Sequence, residues 1–183
     1  MTHVKVLPAD QVVADRPENF GPGSFVFGPY VEHTAERFQM GVRIGDGRQV
    51  LALTPWFGGH RQAGSVIEPL ADRNLFGLKA TKSARPILEF DPMALTQEAP
   101  DSFRGALGLL GFGTTGLTLY AKADDQRGFP TSVGILIDPV SWRIISREPG
   151  QFPTSWTSSW TLRFPLAGGD WFQIAPDRLA SGS

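Results

Sequence analysis

The chain has 183 residues, and 17 lysines and arginines against 18 aspartates and glutamates leave a formal net charge of −1. That length suffices for one domain with a sizeable core, the balanced charge argues against a dedicated nucleic-acid binder, and 41% hydrophobic content argues against a disordered tail. With no cysteine, disulfides, thiolate metal sites, a thiol nucleophile and a thiol redox switch are excluded.

Residues 1–14 lack a basic region followed by an apolar run, so no signal peptide is expected. No stretch approaches the ~20 apolar residues that span a bilayer, and the expected location is cytoplasmic or virion-associated. Glycine (21) and proline (15) make up about a fifth of the chain, the mark of a folded protein with many turns. Charged residues are only 19%, below the usual ~25%. A surface with few charges and little net charge is poorly protected against self-association.

In chain order, residues 3–6 read as a first strand, and residues 8–23 as a long polar loop or extended arm. Strand composition returns at residues 24–31. Phe38, Met40, Val42 and Ile44 then alternate with Arg37, Gln39, Gly41 and Arg43, the period-2 pattern of a half-buried strand. Gly45-Asp46-Gly47 supplies the positive φ of a tight hairpin loop, and residues 49–54 return as its partner. Residues 75–80 and 86–90 are further strands. Asp91-Pro92 pairs a capping residue with proline at the first helical position, so a short helical turn is expected up to residue 98. Asp101 is placed to cap a second helix, with Phe103, Ala106, Leu107 and Leu110 on one face and Gly111 at its end. Residues 117–123 form the next strand.

Val133-Gly134-Ile135-Leu136-Ile137 is apolar on both faces and suits a strand covered on both sides. Asp138-Pro139-Val140-Ser141 is turn chemistry, and residues 142–146 are the expected partner strand. A last hairpin takes residues 155–164, the turn Ala167-Gly168-Gly169-Asp170 and residues 171–174. About ten or eleven strands joined by short turns give an all-β fold. The expectation is a single antiparallel β-sandwich or jelly-roll domain, a barrel being the alternative, with one or two short helices. Residues 1–23 are its N-terminal strand and arm, 24–175 the β-domain and 176–183 a C-terminal tail.

Chemistry-bearing patterns are few. Gly111-Phe112-Gly113-Thr114-Thr115-Gly116 matches the dinucleotide-binding fingerprint by letter, but the expected order of elements is inverted. The fingerprint requires a strand before it and a helix after it, so an apolar loop is the preferred reading. His3, His33 and His60 are the three histidines; His33, Glu36 and His60 form a metal site only if they converge, so no metal and no cofactor are expected. Asp124-Asp125 reads as a solvated turn.

The most site-like loop is Trp56-Phe57-Gly58-Gly59-His60-Arg61, at the exit of a strand. His60 is a candidate acid or base near neutral pH, and Arg61 a candidate carboxylate or phosphate holder. A plain hairpin-exit loop is the competing reading, since no nucleophile signature accompanies it. Trp156 and Trp160, four apart on one expected strand and surrounded by hydroxyls, are candidates for a stacking platform. Their competing role is to fill a core or an interface.

Two functions follow. The first is a non-enzymatic structural or assembly protein, a homo-oligomer or a component of a phage or virus particle such as a capsid or tail. It would self-associate or bind other assembly subunits, without nucleic-acid contacts or a membrane span. The second is a β-barrel or sandwich that binds a small ligand through Trp56, His60, Arg61, Trp156 and Trp160. In its enzymatic form this is a cofactor-independent isomerase or cyclase, with His60 moving the proton.

Overall fold

The computed structural model of the chain describes residues 3–4, 7–28, 39–54, 64–69, 74–79, 85–97, 109–113, 116–123, 134–146, 155–157 and 159–174. Its strands are β1 (His3–Val4), β2 (Val12–Asp15), β3 (Phe25–Gly28), β4 (Gln39–Arg43), β5 (Val50–Ala52), β6 (Ser65–Ile67), β7 (Leu75–Leu78) and β8 (Ile87–Phe90). They continue with β9 (Leu109–Gly113), β10 (Gly116–Ala123), β11 (Gly134–Ile137), β12 (Ile144–Ser146), β13 (Ser155–Thr157), β14 (Trp160–Pro165) and β15 (Trp171–Ile174). Among the described residues, helix is confined to the single 310 turns Ala9–Gln11, Pro17–Asn19 and Pro92–Ala94. The last begins as its sequence predicts, with the Asp91 side chain accepting the Met93 N–H at 2.9 Å.

The strands form two open sheets, so the protein is an all-β sandwich and not a barrel. The smaller sheet runs β1-β15-β14-β8. The larger has eleven strands in the order β12-β11-β10-β6-β5-β4-β3-β7-β2, with β9 and β13 branching from β10. The branch arises because β10 is eight residues long. Its first half pairs with β9 and its end with β6, while β11 lies along the other side. Pairing is antiparallel except at β10/β6 and β1/β15, which are parallel.

One hydrophobic layer fills the space between the sheets. The larger sheet contributes Phe25, Val42, Ile44, Leu51, Leu119, Ile135 and Ile137, and the smaller Trp160, Leu162, Phe164 and Ile174. Phe25 lies at its centre, with ring centroids 5.2 Å from Phe164 and 5.6 Å from Phe172. Each such buried side chain stabilises the fold by roughly 1.5–3 kcal/mol relative to exposure. The alternation of Met40, Val42 and Ile44 is therefore explained by this layer.

The other face of the larger sheet is also covered, which the alternation does not predict. Phe20 is fully buried against Val26, Val50, Ala52, Ile67 and Leu75. It lies over Gly77, where a Cβ would come within 2.4 Å of its ring, so only glycine leaves room there. Residues 8–23 are thus part of the fold rather than an arm: β2 pairs with β7, and Phe20 closes the outer face. The strand is only four residues long and carries apolar bulk only at Val12 and Val13, so its sequence gives little strand signal.

Two further expectations change. Residues 109–113 form β9 instead of the end of a helix, since Leu110 and Gly111 pair with Leu119 and Thr118 across an antiparallel ladder. The expected single strand over residues 155–164 is divided: β13 belongs to the larger sheet and β14 to the smaller. The Thr157 hydroxyl accepts the Ser159 N–H at 3.0 Å where the chain changes sheets.

Candidate functional site

Trp56, His60 and Arg61 lie outside the described residues, as do His33, Glu36 and the Asp124-Asp125 pair. Trp156 and Trp160 are described, and the division between β13 and β14 sends them to separate places. Trp160, 3% exposed, joins the layer between the sheets. Trp156, 4% exposed, covers the outer face of the larger sheet with Tyr120 and Leu136. Its ring meets Tyr120 edge-on, with centroids 6.0 Å apart and planes at 85°. Its main chain exchanges two 2.8 Å hydrogen bonds with Thr96, tying the segment after β8 to β13. Burial pushes the Tyr120 phenol above its ordinary pKa. Both tryptophans fill packed layers, and they do not share a face.

The fingerprint-like run covers the end of β9 and the start of β10. Gly113 and Gly116 pair across the β9–β10 hairpin, and Gly116 has φ of 93°. A strand rather than a helix follows it, so the helix N-terminus that would hold a pyrophosphate does not follow this motif.

Two buried features escaped the sequence pattern. Arg43, on the nominally polar face of β4, is 2% exposed. Its Nε donates to the Pro17 carbonyl at 3.1 Å and Nη1 to the carbonyls of Gln49, at 3.2 Å, and Ile44. This guanidinium holds the Pro17–Asn19 turn onto the sheet. Burial pulls it below its usual pKa, with the charges of Asp46 and Glu18 acting the other way.

The second is the turn between β11 and β12. Trp142 is fully buried, yet its φ is 58°, a left-handed conformation that bulky residues rarely adopt. Gly23, itself at φ 89°, makes space for the indole: a Cβ there would lie 2.7 Å from Trp142 Cδ1. The turn is fastened on several sides. Trp142 donates its N–H to Asp138 O and accepts from Gly45 N–H, each at 2.8 Å, while Arg143 meets Asp46 at 2.9 Å. The Asp138 carboxylate accepts from Val140 N–H at 2.9 Å and from the Ser141 hydroxyl at 2.5 Å. Burial raises the Asp138 carboxyl, but the bonds from Ser141 and Val140 and the charge of Arg85 outweigh it, leaving the pKa below the ordinary value.

No family model, curated protein or solved structure matches this chain. Its surface must therefore be judged on its own chemistry. Large apolar side chains are exposed at the turn tips and sheet margins: Met93 by 89%, Val140 by 69%, Ile87 by 49% and Ile145 by 45%. Ile145 sits where the β11–β12 register shifts, a bulge that turns it outward from an edge strand. On the outer face of the smaller sheet, Arg163 pairs with Glu89 at 3.2 Å and lies 5.1 Å from the centre of the Trp171 ring. Among the described residues, no group of three His, Asp or Glu side chains is placed to hold a metal ion, and no helix is long and apolar enough to cross a membrane.

Proposed function

We propose that this chain is a non-enzymatic structural subunit that self-associates, or packs against other subunits, in a larger assembly. The reading is carried by where the apolar side chains lie. Trp156 and Trp160, the aromatic pair suited to a ligand platform, are consumed by packed layers. Met93 and Val140, by contrast, hold most of their surface in water at turn tips. An apolar side chain gains about 25 cal/mol for each Å² removed from water, so a neighbouring subunit is the natural cover for such tips. The 19% charged content and net charge of −1 offer little electrostatic resistance to that contact.

The test is the solution mass of the full chain by light scattering across a hundred-fold dilution. A species of defined multiple mass supports the reading. Reduced association in Met93→Glu and Val140→Glu variants with unchanged unfolding curves would assign the contact to these tips. A monomer of 19.9 kDa at every concentration contradicts self-association.

A further inference from the structure

We infer that the outer face of the smaller sheet is the packing surface of the subunit, and that it takes the same face of a second copy of this chain about a two-fold axis. This inference rests on the subunit reading above. The larger sheet carries packed layers on both faces, the inner one around Phe25 and the outer one around Phe20 and Trp156. Among the described residues, no such layer lies on the outer face of the smaller sheet. There Ile87 and Glu89 are about half exposed, and Arg163 and Trp171 partly so.

The composition of that face suits a protein partner. The other three described tryptophans are buried, and Trp171 is not. The Arg163 guanidinium lies against its ring, and Ile87 stands opposite Arg163 across the β8–β14 ladder. Tryptophan and arginine are enriched at the energetic centres of protein interfaces. The face is also continuous with the two exposed tips. Just before β8, Arg85 donates to the Val140 carbonyl at 3.4 Å; just after β8, the Pro92–Ala94 turn carries Met93. Val140, Ile87 and Met93 are therefore strung along one marginal strand of the smaller sheet.

Charge names the occupant. Arg163 and Glu89 lie 3.2 Å apart on a diagonal of the ladder, Arg163 facing Ile87 and Glu89 facing Thr161. A two-fold axis in the contact plane, crossing this diagonal, sets each guanidinium against the other copy's carboxylate. It also brings Ile87 of one copy close to Ile87 of the other. A surface that is its own electrostatic complement is what a reciprocal contact between identical chains requires.

The test uses the full chain in two charge-reversed forms, Glu89→Arg and Arg163→Glu, with light-scattering mass as the readout. The first sets arginine against arginine across the axis, and the second glutamate against glutamate. Each alone should associate at least roughly ten-fold more weakly than the unaltered chain. Mixed in equal amounts, the two face each other with opposite charges and should form the multimer again, with one chain of each kind at every contact. Both variants lack the ion pair within the chain, so restoration on mixing reports the contact between chains. Ile87→Glu, which sets like charges near the axis, should also weaken association and serves if either variant does not fold. Variants that keep the multimer of the unaltered chain, or a mixture that stays monomeric, overturn the two-fold contact and leave the subunit reading intact. A monomeric unaltered chain overturns both.

Discussion

The β11–β12 turn and the Pro17–Asn19 segment are held in different ways. The turn carries a left-handed Trp142, a conformation costing roughly 1–2 kcal/mol for a residue with a Cβ. It persists because the indole is fully buried and because Asp138, Gly45, Asp46 and Arg85 each fasten a different part of it. The Pro17–Asn19 segment has no positive φ, and it is held by the buried Arg43 guanidinium, donating to the Pro17 carbonyl at 3.1 Å, with Phe20 packed beside it. Local strain survives where neighbours overdetermine a segment. A segment without such strain needs fewer holds, here one buried donor and one packed ring.

The largest expected effect separates packing from strain at the turn. Trp142→Ala should destabilise the protein by about 3–5 kcal/mol in denaturant unfolding, the range for emptying a buried aromatic site. Trp142→Gly, which removes the same indole, should lose about 1 kcal/mol less because glycine accepts the left-handed backbone. Equal losses would mean that the turn relaxes once the indole is gone.

Arg43→Met comes next. It takes the guanidinium from the carbonyls of Pro17, Ile44 and Gln49, of which Pro17 keeps the Phe20 N–H and Gln49 the Ile44 N–H, and should cost about 1–3 kcal/mol. Protease cleavage near residues 17–20 should rise with it, since the guanidinium holds that turn. Unchanged stability and cleavage would assign the hold to Phe20 alone.

The Asp138 carboxyl gives a smaller, pH-dependent effect. Its folded pKa is depressed, so its contribution is present above the unfolded carboxylate value near ~3.9 and is lost as pH falls through the folded value. Asp138→Asn should therefore lower stability at neutral pH and flatten the acid limb of the stability–pH curve. The same loss at pH 2 and pH 7 would show that the charge is irrelevant to the turn.

The all-β class and the hairpins at Gly45-Asp46-Gly47, Asp138–Ser141 and Ala167–Asp170 were legible because alternation and turn chemistry are local signals. β2 and the burial of Arg43 were not, because the one depends on pairing with the distant β7 and the other on the Pro17 carbonyl of a distant segment. The helix-like spacing of Leu110 gave way to β9 since pairing with β10 satisfies its backbone, and pairing is a long-range property. Trp142 reads as the first residue of a strand; its left-handed geometry follows from the space above Gly23, which no local pattern encodes. The platform reading of Trp156 and Trp160 assumed one continuous strand, and their division between β13 and β14, in different sheets, separates them.

The most direct measurement compares the light-scattering mass of the full chain with that of a Met93→Glu/Val140→Glu chain, at matched concentration. The account predicts a defined multimer for the first and a folded monomer, with a nearly unchanged unfolding curve, for the second. Identical masses for the two would contradict it.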